Sequence, residues 1–251
     1  MDVGEVVAIA LAGLAAGAIN TVVGSGTLIT FPVLLAFGYA PVTANVSNTI
    51  GLVPGSLSGA VGYRRELAGQ RRRMLRLGTA SLLGGTTGAI LLLVLPASAF
   101  RAIVPMFIAI ALVLVVIQPR LNRALAARKV DRSREGGLLT PVAVYATGVY
   151  GGYFGAAQGI LLLGILGVAL PQDLQRTNAL KNVLAGIVNA VAGLYFAFAA
   201  HVAWGPAGII AGTSIVGGQL GAHYGRRLHP AALRGVIVVV GVSAIVRLLV
   251  T

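Results

Sequence analysis

Ten apolar segments follow one another along the chain, and they leave very little polar sequence between them. They are residues 4–23, 27–38, 43–62, 78–95, 100–118, 138–155, 159–170, 177–199, 205–222 and 230–250. Charged residues make up only 10% of the 251 positions, against roughly 25% in an ordinary soluble domain. A soluble fold of this size could not cover its surface with so few polar side chains. The pattern predicts an all-α polytopic membrane protein, because about 20 apolar residues in a helix span a bilayer.

Two of the ten segments are too short to cross a membrane as ordinary helices. Segments 27–38 and 159–170 would each reach only about 18 Å at about 1.5 Å per residue, and the hydrocarbon core is about 30 Å thick. Short or broken helices, placed at the interface of the two halves described below, are therefore expected. The sequence leaves open whether these segments cross fully or re-enter.

The positive charge of the chain is concentrated between apolar segments. Of the 19 Lys and Arg residues, 14 lie in three stretches: residues 64–76, 120–134 and 226–227. Cytoplasmic loops of membrane proteins carry such an excess. We therefore expect a multi-pass protein of the cell inner (cytoplasmic) membrane, with the lipid bilayer as a partner. Nucleic acid is not expected, because no recognisable binding module accompanies the charge.

Residue types that carry metal or nucleophilic chemistry are scarce. The chain has no cysteine, and its three histidines and six acids are scattered. An enzyme acting on a lipid phosphate would need an acid, a histidine or a metal centre at membrane depth. We therefore expect no metal site, no cofactor and no enzymatic activity.

The chain repeats itself at an offset of about 133 residues. The glycine-rich run at 84–88 recurs at 217–221, Asn45 recurs as Asn178 and Gly26 as Gly159. A shared offset in separate segments predicts an internal duplication. The predicted organisation is a first transmembrane repeat at 1–118, a basic cytoplasmic linker at 119–137 and a second repeat at 138–251.

Charge predicts that the two repeats are inverted. The basic loop at 63–77 corresponds to 196–208, which has no Lys or Arg, and the neutral loop at 95–99 corresponds to the basic 223–229. If basic loops stay inside, the second repeat lies upside down relative to the first, as in many transporters. The regions expected outside are the N-terminus, 96–99, 200–205 and the C-terminus. Those expected inside are 63–77, 119–137 and 223–229.

Glycine-rich breaks are the first candidate for a binding site. One break contains Asn20, Gly24, Ser25, Gly26 and Thr27, and the corresponding break contains Gln158 and Gly159. A helix that begins inside a membrane presents free N–H groups and a partial positive charge, which attract anions. The alternative is that these glycines only allow helices to pack closely.

Amide side chains at helical spacing are the second candidate. Asn45 and Asn48 share one helix face, and Asn178 and Asn182 share another. These amides could bind a solute or simply join helices. Lys181 lies between the second pair, as the one Lys or Arg well inside a predicted span. Its charge calls for a negative partner, unless the side chain extends to the cytoplasmic surface.

At these residues the chain resembles the TauE/SafE family, also called the sulfite exporter or TSUP family. The resemblance is carried by residues 17–27, by the following Pro32, by Ala44-Asn45 and Asn48-Thr49, and by the glycine-rich repeats. It covers nearly the whole chain and is more specific in the first half. It implies transport of a small sulfur-containing anion such as sulfite, thiosulfate or an organosulfonate.

The predicted function is a secondary transporter of such an anion that works by alternating access. The alternatives are an anion channel, a transporter of another small anion, and a structural subunit without transport activity. The acids all lie outside or at the edges of the apolar segments, so a carboxylate proton relay in the core is not expected. A proton or a sodium ion as coupling ion, the direction of transport and an oligomeric state stay open.

Overall fold

A computed structural model describes residues 1–127, 137–224 and 230–250. In these ranges every regular element is a helix, which confirms the predicted all-α fold. The helices are α1 (Val3–Val22), α2 (Thr27–Ala36), α3 (Pro41–Gly62), α4 (Arg71–Val94), α5 (Ala97–Ala127), α6 (Leu139–Tyr153), α7 (Gln158–Ala169), α8 (Leu174–Ala199), α9 (Trp204–Tyr224) and α10 (Pro230–Val250). Among the described residues, α1, α4, α5 and α8 are long and apolar enough to cross a membrane.

Two helices extend beyond the predicted apolar segments at their basic ends. Helix α4 begins at Arg71, inside the predicted loop 63–77, and α5 continues to Ala127, inside the predicted linker. Arginine is a good helix former, and its long side chain lets a helix continue past the hydrocarbon into the polar region. Residues 128–136 of the predicted linker 119–137 and residues 225–229 of the predicted loop 223–229 lie outside the described residues.

The two short helices turn back rather than continue across the molecule. Helix α2 ends beside the start of α1, where the Tyr39 hydroxyl donates to Glu5 Oε1 at 2.7 Å. Burial and this hydrogen bond raise the pKa of Tyr39 to about 12, so the phenol keeps its donor proton. Helix α7 ends beside the start of α4, where Arg73 donates to Gln172 Oε1 at 2.9 Å. Both α1–α2 and α6–α7 are therefore hairpins, and in each the second helix is the shorter one.

The hairpins open toward opposite ends of the molecule. The open end of α1–α2 lies with the first turns of α3, where Ser47 Oγ accepts from Ala203 N at 2.9 Å, just beyond the end of α8. The start of α8 lies at the other end, where Arg176 donates to the Ala68 carbonyl at 2.8 Å, beside the open end of α6–α7. An inverted repeat predicts this arrangement, and both the repeat and its orientation in the membrane stay predictions.

The two halves are interlocked by exchange of their first helices. Helix α1 packs on α9 and α6 packs on α4, so each first helix lies against the glycine-rich helix of the other half. A Cβ atom on Gly17 would lie 2.3 Å from the Ser214 carbonyl oxygen, and one on Gly84 would lie 2.3 Å from the Tyr145 carbonyl oxygen. Small residues thus allow backbone contact. Helices α3 and α8 also pack on each other, as do α5 and α10.

Reporter fusions should place residue 128 in the cytoplasm and residue 203 outside. The basic end of the molecule should stay inside because moving Lys and Arg across the membrane is unfavourable. Fusions of alkaline phosphatase and of a fluorescent protein at both positions would measure this. Fluorescence at 203 together with phosphatase activity at 128 would contradict the predicted orientation.

Candidate functional site

The two glycine breaks, which lie far apart in sequence, are in direct contact. Gly24 adopts φ +87°, a conformation that favours glycine. The Gly159 N–H donates to the Gly24 carbonyl at 3.1 Å, and a Cβ atom on Gly24 would lie 2.4 Å from Gly159 Cα. The end of α1 and the start of α7 therefore meet backbone to backbone. The Gly159 N–H, a predicted anion donor, is used to hold this contact.

A first group of amides lies on α3, beside the closed ends of the two hairpins, where α6 ends and α2 begins. Asn45 Nδ2 donates to the Tyr153 carbonyl at the end of α6, at 3.0 Å. Asn48 Nδ2 donates to Thr27 Oγ1 at 3.3 Å, and Thr30 Oγ1 donates to Asn48 Oδ1. This group therefore joins the end of α6 to the start of α2.

A second group lies on α8, toward the basic end of the molecule. Asn178 Nδ2 donates to the Thr21 carbonyl at 3.4 Å. Lys181 Nζ donates to the carbonyls of Asn20 at 3.3 Å and Thr21 at 3.1 Å. Only 1% of Lys181 is exposed, so its side chain turns inward and does not extend to the surface. The partial negative charge at the end of α1 stabilises the ammonium.

The two groups correspond to each other through the repeat. Asn45 and Asn178 both bind a carbonyl at the end of the other half's first helix. Asn48 and Lys181 are also 133 residues apart and so occupy corresponding positions of the two repeats, but only Lys181 carries a charge. The predicted amides thus form two related groups, and both groups contact the backbone or side chains at the two breaks.

Several buried polar atoms around the breaks have no hydrogen-bond partner among the described residues. They are Ser25 Oγ, Asn45 Oδ1, Tyr153 OH, Gln158 Nε2, Asn178 Oδ1 and Asn182 Nδ2. Buried polar atoms in proteins almost always have partners. Because the Nδ2 atoms of Asn45 and Asn178 face carbonyls, their free Oδ1 atoms must point elsewhere. A concentration of unsatisfied donors and acceptors is typical of a site that binds a polar solute.

The other predicted residues surround this centre in structural positions. Gly26 lies where a Cβ atom would meet the Ala16 carbonyl oxygen at 2.5 Å, which fixes the turn into α2. Asn20 Nδ2 donates to Ser56 Oγ on α3 at 3.3 Å. The side chain of Gln158 packs against the backbone of Gly151 on α6. Gly26 and Asn20 therefore position the backbone of the first break, while the Gln158 side chain packs beside the second and keeps its Nε2 without a partner among the described residues.

A cavity that the sequence did not predict opens beside the second group. It has a volume of about 120 Å³, enough for a small solute with some of its water. Its lining residues are Val22, Tyr63, Asn122, Leu163, Leu174, Gln175 and Asn178. Asn122 and Gln175 lie where helices extend past their apolar segments, so their polarity in sequence resembled that of a loop.

Gln118 is a second functional candidate that sequence reasoning missed. Its Nε2 donates to the Val23 carbonyl at 3.4 Å, so it binds the same broken end of α1 as Lys181 and Asn178. Gln118 is 4% exposed. It is the only polar residue in the run 102–118, and an isolated polar residue at membrane depth is the signal that could have identified it.

Packed aromatic rings close the opposite side of the breaks. Phe31, Phe100 and Phe154 are each 1% exposed, and the Phe31 and Phe154 rings meet edge to face with centroids 5.2 Å apart. Phe100 lies 6.1 Å from Phe154 by the same measure. The glycine contact therefore has an apolar seal on one side and a polar cavity on the other.

Comparison with known proteins agrees with this architecture. A family model described as Sulfite exporter TauE/SafE matches residues 9–248. The chain is 27% identical over 216 residues to the "Probable membrane transporter protein YfcA" of Escherichia coli (strain K12), covering 85% of this chain and 76% of that protein. It is 27% identical over 242 residues to the "Probable membrane transporter protein ORF9" of Sinorhizobium sp, covering 95% and 90%.

A third relative, the "Probable membrane transporter protein" of Haemophilus influenzae (strain ATCC 51907 / DSM 11121 / KW20 / Rd), is 25% identical over 88% of this chain and 86% of its own length. No solved structure matches the chain at a significant level. The family match spans nearly the whole sequence and includes both breaks. The chain therefore belongs to the sulfite exporter TauE/SafE family, and it is a multi-pass membrane transporter rather than an enzyme.

Proposed function

We propose that this transporter moves a small sulfur-containing anion, such as sulfite, thiosulfate or an organosulfonate, across the cytoplasmic membrane. The observation that carries the proposal is the contact between Gly24 and Gly159 beside the buried ammonium of Lys181. The description of the matching family names the export of a sulfur oxyanion, sulfite. The substrate would bind where the two broken helices meet.

Electrostatics favour an anion at this place. The breaks are flanked by a lysine and by amide and hydroxyl donors, and Ser25 Oγ, Gln158 Nε2 and Asn182 Nδ2 have no partner among the described residues. Lys181 uses two hydrogen bonds on the Asn20 and Thr21 carbonyls, and an ammonium has three donor hydrogens. One N–H is therefore left for an oxyanion. A charged hydrogen bond of this kind is about twice as strong as a neutral one.

The mechanism we propose is alternating access. Phe31, Phe100 and Phe154 seal one side of the breaks, and the cavity beside Asn178 opens toward the basic end. A carrier that is closed to the outside would have this geometry if the basic end of the molecule is the cytoplasmic one. Because the two amide groups are related by the repeat, the opposite state would pack the second group and open the first. A continuous channel would need both sides open together.

Flux measurements with a panel of anions test this proposal. In proteoliposomes, we expect protein-dependent uptake of sulfite or thiosulfate, counted as the excess over protein-free liposomes, to be at least about tenfold faster than that of erythritol, a small neutral solute that crosses lipid slowly. The buried charge should favour an anion by more than about 1.4 kcal/mol, which corresponds to a tenfold change in rate. Radiolabelled uptake measures the rates. Equal uptake of anion and neutral solute would remove the anion claim. Single-channel currents in a planar bilayer would favour the channel alternative.

A further inference from the structure

At the broken end of α1, buried backbone carbonyls receive no hydrogen bond from the helix itself. The helix ends at Val22, and the Val23 and Gly24 N–H groups both donate to the Ile19 carbonyl. The Asn20 and Thr21 carbonyls therefore lack the usual helical partners four residues later. Together with the helix dipole, these carbonyls make a site of partial negative charge that attracts cations.

A side-chain cation already lies at this site. Lys181 Nζ is 3.3 Å from the Asn20 carbonyl oxygen and 3.1 Å from that of Thr21. Within the described residues, no carboxylate pairs with it. Asp173, on the same helix, caps the start of α8 by accepting from Arg176 N at 2.9 Å. Backbone carbonyls, and not an acid, thus balance the buried charge.

In transporters built from broken helices, such C-terminal carbonyls commonly coordinate the coupling sodium ion or proton. We propose that the Lys181 ammonium is a tethered cation that takes the place of a mobile sodium ion at the end of α1, so that this protein moves its substrate without sodium. The inference rests on the proposed function in that the protein must be a carrier. The inference adds to that function the statement that a sodium gradient does not drive transport.

The broken end of α6, which corresponds to the broken end of α1, is completed without a charge. At the end of α6, the Asn45 amide donates to the Tyr153 carbonyl and the Tyr150 hydroxyl donates to the Ala156 carbonyl. The position that corresponds to Lys181 is Asn48, which is neutral and faces Thr27. Neutral donors therefore suffice to complete a broken helix end in this fold. The charge at Lys181 serves a purpose that the end of α6 does not require.

Thermal unfolding in sodium chloride and in potassium chloride tests the inference without any substrate. Lys181→Ala removes the ammonium and leaves room at the carbonyls, so sodium should raise its melting temperature by about 3 °C or more. Wild type should differ by less than about 1 °C between the salts, as should Lys181→Met, whose side chain fills the space. Arg176→Ala is the matched control, because its guanidinium donates to the Ala68 carbonyl near the surface and its loss opens no buried carbonyl site.

Two results would overturn the inference. One is wild-type protein that gains stability from sodium, or whose flux falls several-fold when potassium replaces sodium. The other is folded Lys181→Ala protein whose melting temperature does not respond to sodium. If that variant does not fold, Lys181→Asn, which has the residue found at the corresponding position of the first repeat, is measured instead. If neither variant folds, the wild-type measurements in the two salts decide. A carrier that moved no sulfur anion would refute the proposed function, while the sodium measurement would still stand.

Discussion

Gly24→Ala should abolish transport and strongly lower the stability of the protein. A Cβ atom at this position would lie 2.4 Å from Gly159 Cα and 2.9 Å from the Gly159 carbonyl carbon, and neither backbone atom can move without shifting α7. The residue also has φ +87°. Overpacking and backbone strain each cost about 1–3 kcal/mol, so the sum is roughly 2–6 kcal/mol. That is a large part of the 5–15 kcal/mol that stabilises a typical domain.

Gly38→Ala separates the effect of backbone strain from the effect of the steric clash with Gly159. Gly38 has nearly the same backbone conformation, φ +86°, but a Cβ atom there would meet nothing within 4 Å. It therefore carries the backbone strain without the clash, and it should keep most of its flux and lose only about 1 kcal/mol. Thermal unfolding in detergent and flux in proteoliposomes measure both variants. Equal losses in the two variants would show that the contact between the breaks is not required.

Lys181→Met should lower anion flux at least about tenfold while the protein still folds. Methionine fills a similar volume, but it leaves the Asn20 and Thr21 carbonyls without the donor that binds them in wild type. A hydrogen bond to a charged group contributes about 1.5–3 kcal/mol, and a tenfold change in rate corresponds to about 1.4 kcal/mol. The substrate would in addition lose its positive partner. Sodium should not restore flux in this variant.

The matched control for this measurement is Arg176→Ala. Arg176 is also a cation on α8 that donates to a backbone carbonyl, that of Ala68 at 2.8 Å. It lies at the basic end of the molecule, away from both breaks, so we expect its flux to stay within about twofold of wild type. If Lys181→Met protein were as active as Arg176→Ala protein, Lys181 would be a structural anchor rather than a part of the transport site.

The sequence predicted the elements of this fold well because their cause is local. Each of the ten apolar segments corresponds to a helix, since a long apolar run in lipid must satisfy its own backbone hydrogen bonds. The helix bounds at Arg71 and Ala127 differ from the ends of the predicted apolar segments. Hydropathy marks where a segment leaves the hydrocarbon and not where the helix ends. The family was also recognisable, from the short run around Gly24.

The partners of the site residues could not be predicted in the same way. Sequence indicated that Lys181 needs a negative partner, but a substrate and a backbone carbonyl are equally consistent with that need. The structure shows the carbonyls of Asn20 and Thr21. It also shows that Gln118 binds the Val23 carbonyl, a contact that no local pattern encodes.

Composition and residue spacing are properties of the chain alone, and they were enough to identify a helical membrane protein with two glycine-broken segments. The contact between the breaks at Gly24 and Gly159, and the two amide groups beside it, became visible only in the folded protein. The reason is that these contacts depend on how α1 packs on α9 and α6 on α4. Such packing is set by the complementary shapes of surfaces distant in sequence.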